Sequence, residues 1–120
     1  MKKAYDLAQK IINGINDYSE HYVTSFGKTI HTEEQLMALN MILENGFTLY
    51  NYVVKHEFYE GKPEILTACN EVAKYLEKLE INEENAKKLQ MSSALQVWEQ
   101  ARLAIAMLAC TLLDYRDSLN

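Results

Sequence analysis

The sequence predicts an all-α fold, namely an antiparallel helical bundle of four long helices plus one short helix in a single domain over residues 1–120. Apolar residues recur at steps of three and four through most of the chain, which is the period of amphipathic helices. The chain also contains only one proline and four glycines, too few for the turns of a strand-rich fold. Its length suits one domain with one hydrophobic core.

The first helix is predicted over residues 3–22. Gly14 lies inside its pattern at a cost of ~1 kcal/mol relative to alanine, and we interpret it as the mark of a close helix crossing. The segment 24–31 loses the helical period and is predicted to be a loop. Thr32 and Gln35 then match a capping box, which predicts the start of the second helix.

The second helix is predicted over residues 33–60, because its apolar stripe stays in phase through Asn45 and Gly46. That pair in isolation signals a turn, so a break at Gly46 is the alternative. Gly61 and Pro63 are expected to end this helix and start the next one. Glycine suits the left-handed position after a helix, and proline suits the first helical turn.

The third helix is predicted over residues 63–80, a short fourth helix over residues 82–90 and the last helix over residues 93–117. Asn82 is expected to cap the short helix, and Ser93 begins a second capping box. Short loops between these segments favour antiparallel neighbours, as in a bundle.

The second and last helices carry more apolar surface than a single bundle contact requires. One group of side chains lies roughly opposite the main stripe of the second helix: Met37, Met41, Tyr52 and Tyr59. A similar group lies opposite the main face of the last helix: Leu103, Met107 and Cys110. Either both helices lie in the middle of the bundle, or these extra faces contact a partner.

Methionine and tyrosine together are typical of adaptable contact surfaces, since thioethers fit irregular shapes and phenols tolerate both burial and water. We therefore predict a partner-binding role for four residues: Met37, Met41, Tyr52 and Tyr59. The expected partner is another protein, or a second copy of the chain, bound through the second and last helices.

The chain has 12 Lys and Arg against 17 Asp and Glu, a net charge of −5, which argues against binding to a nucleic-acid backbone. Cys69 and Cys110 both lie in apolar helical patterns, and Cys110 ends the longest apolar run, 103–110. We predict that both thiols are buried and reduced, which favours the cytoplasm. The run is too short to cross a membrane, which takes ~20 residues, and no signal peptide is recognised.

No catalytic, cofactor or metal site is expected. His56 and Glu60 share a helix face in the predicted second helix, but a metal site needs two further ligands. The serines are explained by a loop and a cap, the cysteines lie among apolar residues, and no glycine-rich phosphate loop occurs. The sequence therefore favours a protein that is not an enzyme.

The order of elements resembles that of the small helical subunits of type III CRISPR effector complexes. The likeness comprises a helix ending near Leu43-Glu44-Asn45-Gly46-Phe47, a helix with Tyr75-Leu76 and an alanine-rich last helix. Those subunits are usually basic because they hold RNA, whereas this chain is acidic, so no residue or activity is transferred from them.

We therefore expect a small intracellular protein-interaction module, an inhibitor or adaptor of a larger protein or complex, of the kind that phages and mobile elements encode. One alternative is an oligomeric helical binder of a small ligand such as a nucleotide, with pockets between helices. The other is a helical subunit of a ribonucleoprotein assembly.

Overall fold

The computed structural model describes residues 2–22, 33–76 and 94–119, and every regular element within them is an α-helix. The helices are α1 (Lys2–Tyr22), α2 (Glu33–Lys55), α3 (Pro63–Leu76) and α4 (Ala94–Ser118). The all-α prediction is confirmed. The expected helix count is corrected to four for the described residues, since the loop at 24–31 and the short helix at 82–90 lie outside them.

The last helix, α4, makes the most extensive contacts of the four described helices and packs against each of the other three. α1 also packs along α2, and α2 makes a smaller contact with α3. Hydrogen bonds join Tyr18 near the end of α1 to Gln35 at the start of α2 and Glu99 near the start of α4. α1 therefore runs antiparallel to both α2 and α4, which run parallel to each other.

Each described helix buries a stripe of apolar residues in one shared core. The stripe of α1 recurs at steps of three and four, as its sequence predicts: Ala4, Ala8, Ile11, Ile15 and Tyr18. The largest buried side chains of α4 are Trp98, Ile105, Leu108 and Leu112. Burial of a side chain of this size stabilises the fold by about 1.5–3 kcal/mol.

Gly46 lies where α2 crosses α4, and the helix continues through it without a break. A Cβ atom at Gly46 would lie 2.5 Å from atoms of Ile105 on α4, which is closer than carbon atoms approach one another. The absence of a side chain at this position therefore allows the close contact. A Cβ at Gly14 would meet Ile42 at an ordinary 3.8 Å, so our interpretation of Gly14 as the crossing point is wrong.

α2 ends at Lys55, not at residue 60 as the periodicity predicts. The Phe58 amide donates to the Val53 carbonyl at 3.0 Å, and the Glu57 amide donates to the Val54 carbonyl at 3.1 Å. Glu57 has a left-handed φ of 52°. This pair of bonds is a Schellman motif, in which a residue of left-handed conformation reverses the chain after a helix. The sequence does not indicate this helix end, because glutamate and not the usual glycine occupies the left-handed position, residue 57.

Gly61 is left-handed as predicted, with a φ of 70°, but it lies in a separate turn after the helix. The Lys62 amide donates to the Tyr59 carbonyl at 3.0 Å and closes the turn. α3 then begins at Pro63, in agreement with the preference of proline for the first helical turn.

We expect Gly46→Ala to destabilise the protein by about 1–3 kcal/mol, because the added methyl group must displace Ile105 in a packed core. The matched substitution Gly14→Ala should raise the stability by up to about 1 kcal/mol, because alanine favours the helix and has room there. Urea denaturation followed by circular dichroism measures both. Equal effects of the two substitutions would contradict the assignment of Gly46 as the crossing point.

Candidate functional site

A cluster of four polar side chains joins the end of α1 to the starts of α2 and α4: Tyr18, Gln35, Glu99 and Arg102. The Tyr18 hydroxyl donates to the Glu99 carboxylate and accepts a hydrogen bond from the Gln35 amide. Arg102 Nε donates to the other Glu99 carboxylate oxygen at 2.9 Å. Tyr18 and Gln35 are buried, so these bonds replace the water that both groups lose on folding. We call these residues the polar cluster.

The polar cluster favours the neutral form of Tyr18. Burial raises the pKa of the Tyr18 hydroxyl, and the hydrogen bond to Glu99 raises it further. Both effects disfavour a phenolate, which would lie in a poorly hydrated place beside a carboxylate. The Arg102 guanidinium, 5.0 Å from the centroid of the Tyr18 ring, acts in the opposite direction. The cluster is thus a link between three helices. Gln35 belongs to it, while Thr32, its expected capping partner, lies outside the described residues.

Met37 and Met41 lie on the outer face of α2 and are 60% and 61% exposed. They are four positions apart, so they are neighbours on one helix face. We call them the methionine patch. The structure brings these two predicted contact residues together on the surface.

Tyr52 and Tyr59, the other two predicted contact residues, are half-buried and pack against the core. The Tyr52 ring lies 4.4 Å from that of His56, and the Lys3 ammonium lies 5.6 Å from the Tyr52 ring. Tyr59 does not lie on α2, since the helix ends at Lys55. Tyr52 follows Met41 by eleven positions and is half-buried, so neither tyrosine is part of the methionine patch.

The outer face of α4 carries a second exposed apolar group: Leu103, Met107 and Cys110. We call it the outer stripe. The predicted burial of Cys110 is wrong, whereas Cys69 is buried as expected. A run of eight apolar residues covers more than two turns of a helix, so its side chains point in all directions around the helix and some of them face water. The position of Cys110 on the helical wheel, opposite the core face, was the informative signal.

The methionine patch and the outer stripe lie on opposite sides of the bundle. α2 and α4 touch at Gly46 and Ile105. At about 100° per residue, Met37 lies about 180° around α2 from Gly46. Leu103 and Met107 each lie about 160° around α4 from Ile105. Because the two helices face each other, their outer faces point away from each other.

A surface pocket of about 400 Å³ lies where α3 begins and α4 ends. The Lys62 ammonium lies 4.6 Å from the Phe58 ring centroid and 5.2 Å from that of Tyr115. The carboxylates of Glu64 and Asp114 also line the pocket. Two carboxylates disfavour a phosphate-bearing ligand such as a nucleotide, because like charges repel each other.

Among residues 2–22, 33–76 and 94–119, no three side chains of His, Cys, Asp and Glu come together in a way that could hold a metal ion. His56 and Glu60 do not share a helix face, since α2 ends before both of them. The sequence pairing of these two residues depended on a helix that continued to residue 60.

No protein-family model, curated protein or solved structure matches this chain. None of the helices in the described residues has both the length and the apolar character needed to cross a membrane.

We expect a water-soluble thiol reagent to label Cys110 rapidly and Cys69 slowly. Burial raises the pKa of the Cys69 thiol to about 11, which lowers its reactive thiolate fraction about 100-fold relative to an ordinary thiol. Cys110→Ser should remove the fast phase of the reaction, and Cys69→Ser should leave it. Stopped-flow absorbance measures the two phases. A fast phase that survives in Cys110→Ser would contradict the structure.

We expect Tyr18→Phe to destabilise the protein by about 1–3 kcal/mol at neutral pH, because the buried Gln35 and Glu99 groups lose a hydrogen-bond partner. The pKa of Tyr18 is raised above 10 in the folded state. Its contribution to stability is therefore complete below pH 10 and is lost as the pH rises toward the folded pKa. Urea unfolding between pH 8 and pH 11 should show a steeper loss for the wild type than for Tyr18→Phe. Equal slopes would contradict the raised pKa.

Proposed function

We propose that this protein is a protein-interaction module, an inhibitor or adaptor that binds a larger protein or complex through exposed apolar residues of α2 and α4. The observation that carries the proposal is the exposure of the methionine patch and the outer stripe, with Met37, Met41 and Leu103 each about 60% exposed. Folding does not require apolar residues at these positions, since charged residues also favour helices and suit water better.

These exposed apolar side chains support a contact role because they are adjacent to one another on a helix face. Single exposed apolar residues are ordinary on protein surfaces, whereas adjacent ones that form a patch mark contact sites. Leu103, Met107 and Cys110 follow one another at steps of four and three on one face of α4. Burial of such surface against a partner is favourable by roughly 25 cal/mol per Å² of apolar area.

The opposed directions of the two faces suit an adaptor. A partner on the methionine patch does not occlude the outer stripe, so the protein can bind two partners, or two parts of one complex, at the same time. The free cysteines, one of them exposed, support a reducing compartment such as the cytoplasm.

A second candidate function, the binding of a small ligand, is supported by the pocket between α3 and α4. Its volume of about 400 Å³ falls within the ~300–1,000 Å³ of typical ligand sites. The carboxylates of Glu64 and Asp114 favour a cationic or neutral compound over a nucleotide. We rank this candidate second because the lining side chains are largely exposed.

We expect Met37→Glu/Met41→Glu, or Leu103→Glu/Met107→Glu, to abolish association with the native partner while the protein stays folded. All four side chains face water, so each change should alter stability by about 0.5 kcal/mol or less. Each tagged variant is purified from the native host beside the wild type, and bound proteins are identified by mass spectrometry. Circular dichroism verifies folding, and light scattering measures self-association.

The matched control is Thr67→Glu/Asn70→Glu, which adds two charges to exposed positions of α3, a helix that carries neither apolar face. It should retain the partner. Identical bound proteins for the wild type and both apolar-face variants would contradict the proposal. Unfolding of a variant would show instead that its residues belong to the core.

A further inference from the structure

The methionine patch lies between two exposed glutamates on one ridge of α2. Glu34 precedes Met37 by three positions, and Glu44 follows Met41 by three positions. Steps of three and four keep all four side chains on the same helix face. Because α2 rises 1.5 Å per residue, the two carboxylates mark the ends of a strip about 15 Å long.

The part of α2 that carries the methionine patch is negatively charged. Residues 33–54 include three glutamates and no lysine, arginine or histidine. Lys55, the last residue of α2, lies eleven positions beyond Glu44, about 16 Å along the helix. The ion pairs found in the described residues join Lys74 to Glu71, Arg102 to Glu99 and Arg116 to Asp117. Neither Glu34 nor Glu44 forms such a pair within the described residues, and both side chains are exposed.

We propose that the methionine patch binds a basic amphipathic helix of the partner protein, an inference that rests on the proposed function. The partner helix presents about two turns of apolar residues to Met37 and Met41. A Lys or Arg at each end of that apolar stretch, roughly 15 Å apart, pairs with Glu34 and Glu44. Methionine side chains adapt to irregular apolar shapes, and the paired charges fix the register.

The α2 helix of a second copy of this chain does not fit the same ridge. An antiparallel pairing of two α2 helices centred on the methionines places Glu34 of one copy opposite Glu44 of the other. A parallel pairing places each glutamate opposite itself. Both arrangements bring like charges together, which is unfavourable. The carboxylates likewise oppose nucleic-acid phosphates and the anionic lipids of a membrane surface.

The outer stripe differs from the methionine patch in its flanking charges. Gln100 precedes Leu103 by three positions, and the carboxylate of Glu99, four positions before Leu103, is already held by Tyr18 and Arg102. Asp114 follows Cys110 by four positions, so only that end carries a carboxylate outside the polar cluster. The outer stripe therefore lacks a pair of flanking carboxylates like Glu34 and Glu44. Substitutions in it serve as the control for substitutions in the methionine patch.

Two synthetic helical peptides with the same apolar face test this assignment. One carries lysines at the two ends of the apolar face, about 15 Å apart, and the other carries glutamates there. Fluorescence anisotropy at low ionic strength should show about tenfold or tighter binding of the lysine peptide. Added salt should reduce the difference.

Four variants complete the test. Glu34→Lys/Glu44→Lys should reverse the preference between the two peptides, and Glu34→Gln/Glu44→Gln should remove it. Met37→Gln/Met41→Gln should abolish binding of the lysine peptide, while Leu103→Gln/Met107→Gln should leave it unchanged. Circular dichroism verifies that each variant is folded. If Glu34→Lys/Glu44→Lys does not fold, the comparison of the wild type with Glu34→Gln/Glu44→Gln still tests the role of the two carboxylates.

Equal binding of both peptides by the wild type, or absence of binding, would overturn the basic-helix assignment. A wild-type dimer that Met37→Gln/Met41→Gln dissociates would also overturn it in favour of self-association. Failure of the peptide test would leave the proposed function standing. If Met37→Glu/Met41→Glu no longer binds the native partner, the methionine patch is still an interface, whatever the charge of that partner. Retention of every native partner by both apolar-face variants would overturn the proposed function itself.

Discussion

The contact between Gly46 and Ile105 brings α2 and α4 closer together than any other residue at position 46 would allow. Because α2 and α4 each also pack on α1 and α3, this crossing joins the two helices that contact all the others. It also fixes the direction of the two exposed apolar faces, since each lies on the side of its helix away from the crossing. The core and the candidate surfaces therefore depend on the same contact.

The two ends of the bundle are held by different chemistry. At one end, the polar cluster joins three helices through Tyr18, Gln35 and Glu99. Hydrogen bonds between buried groups are directional, so they specify which helices meet and in what register. At the other end, the Phe58 ring meets those of Tyr5 and Tyr115 edge to face. These aromatic contacts hold the segment after α2 against α1 and α4, and they coincide with the Schellman motif that ends α2.

The exposed apolar residues divide into one face that is flanked by two carboxylates and one face with fewer charges nearby. On α2, the carboxylates of Glu34 and Glu44 bracket Met37 and Met41, so attraction and repulsion both restrict what can bind. On α4, the outer stripe has one neighbouring carboxylate outside the polar cluster, which would give less discrimination between bound molecules. A small protein with two such faces can be selective on one side and permissive on the other.

Apolar periodicity in the sequence determined that the chain is helical, where α1 and α4 lie and which stripe of each is buried, because a 3.6-residue repeat appears directly in the order of residues. It also separated Met37, Met41, Leu103 and Met107 from the core faces. Only the tertiary structure decided that Gly46 and not Gly14 is the crossing point, since this depends on the helix opposite. It likewise decided that Tyr52 and Tyr59 are half-buried against the core, and that Tyr18 meets a carboxylate 81 positions away. Contacts between distant parts of the chain leave no periodic signal, so they appear only when the helices are packed together.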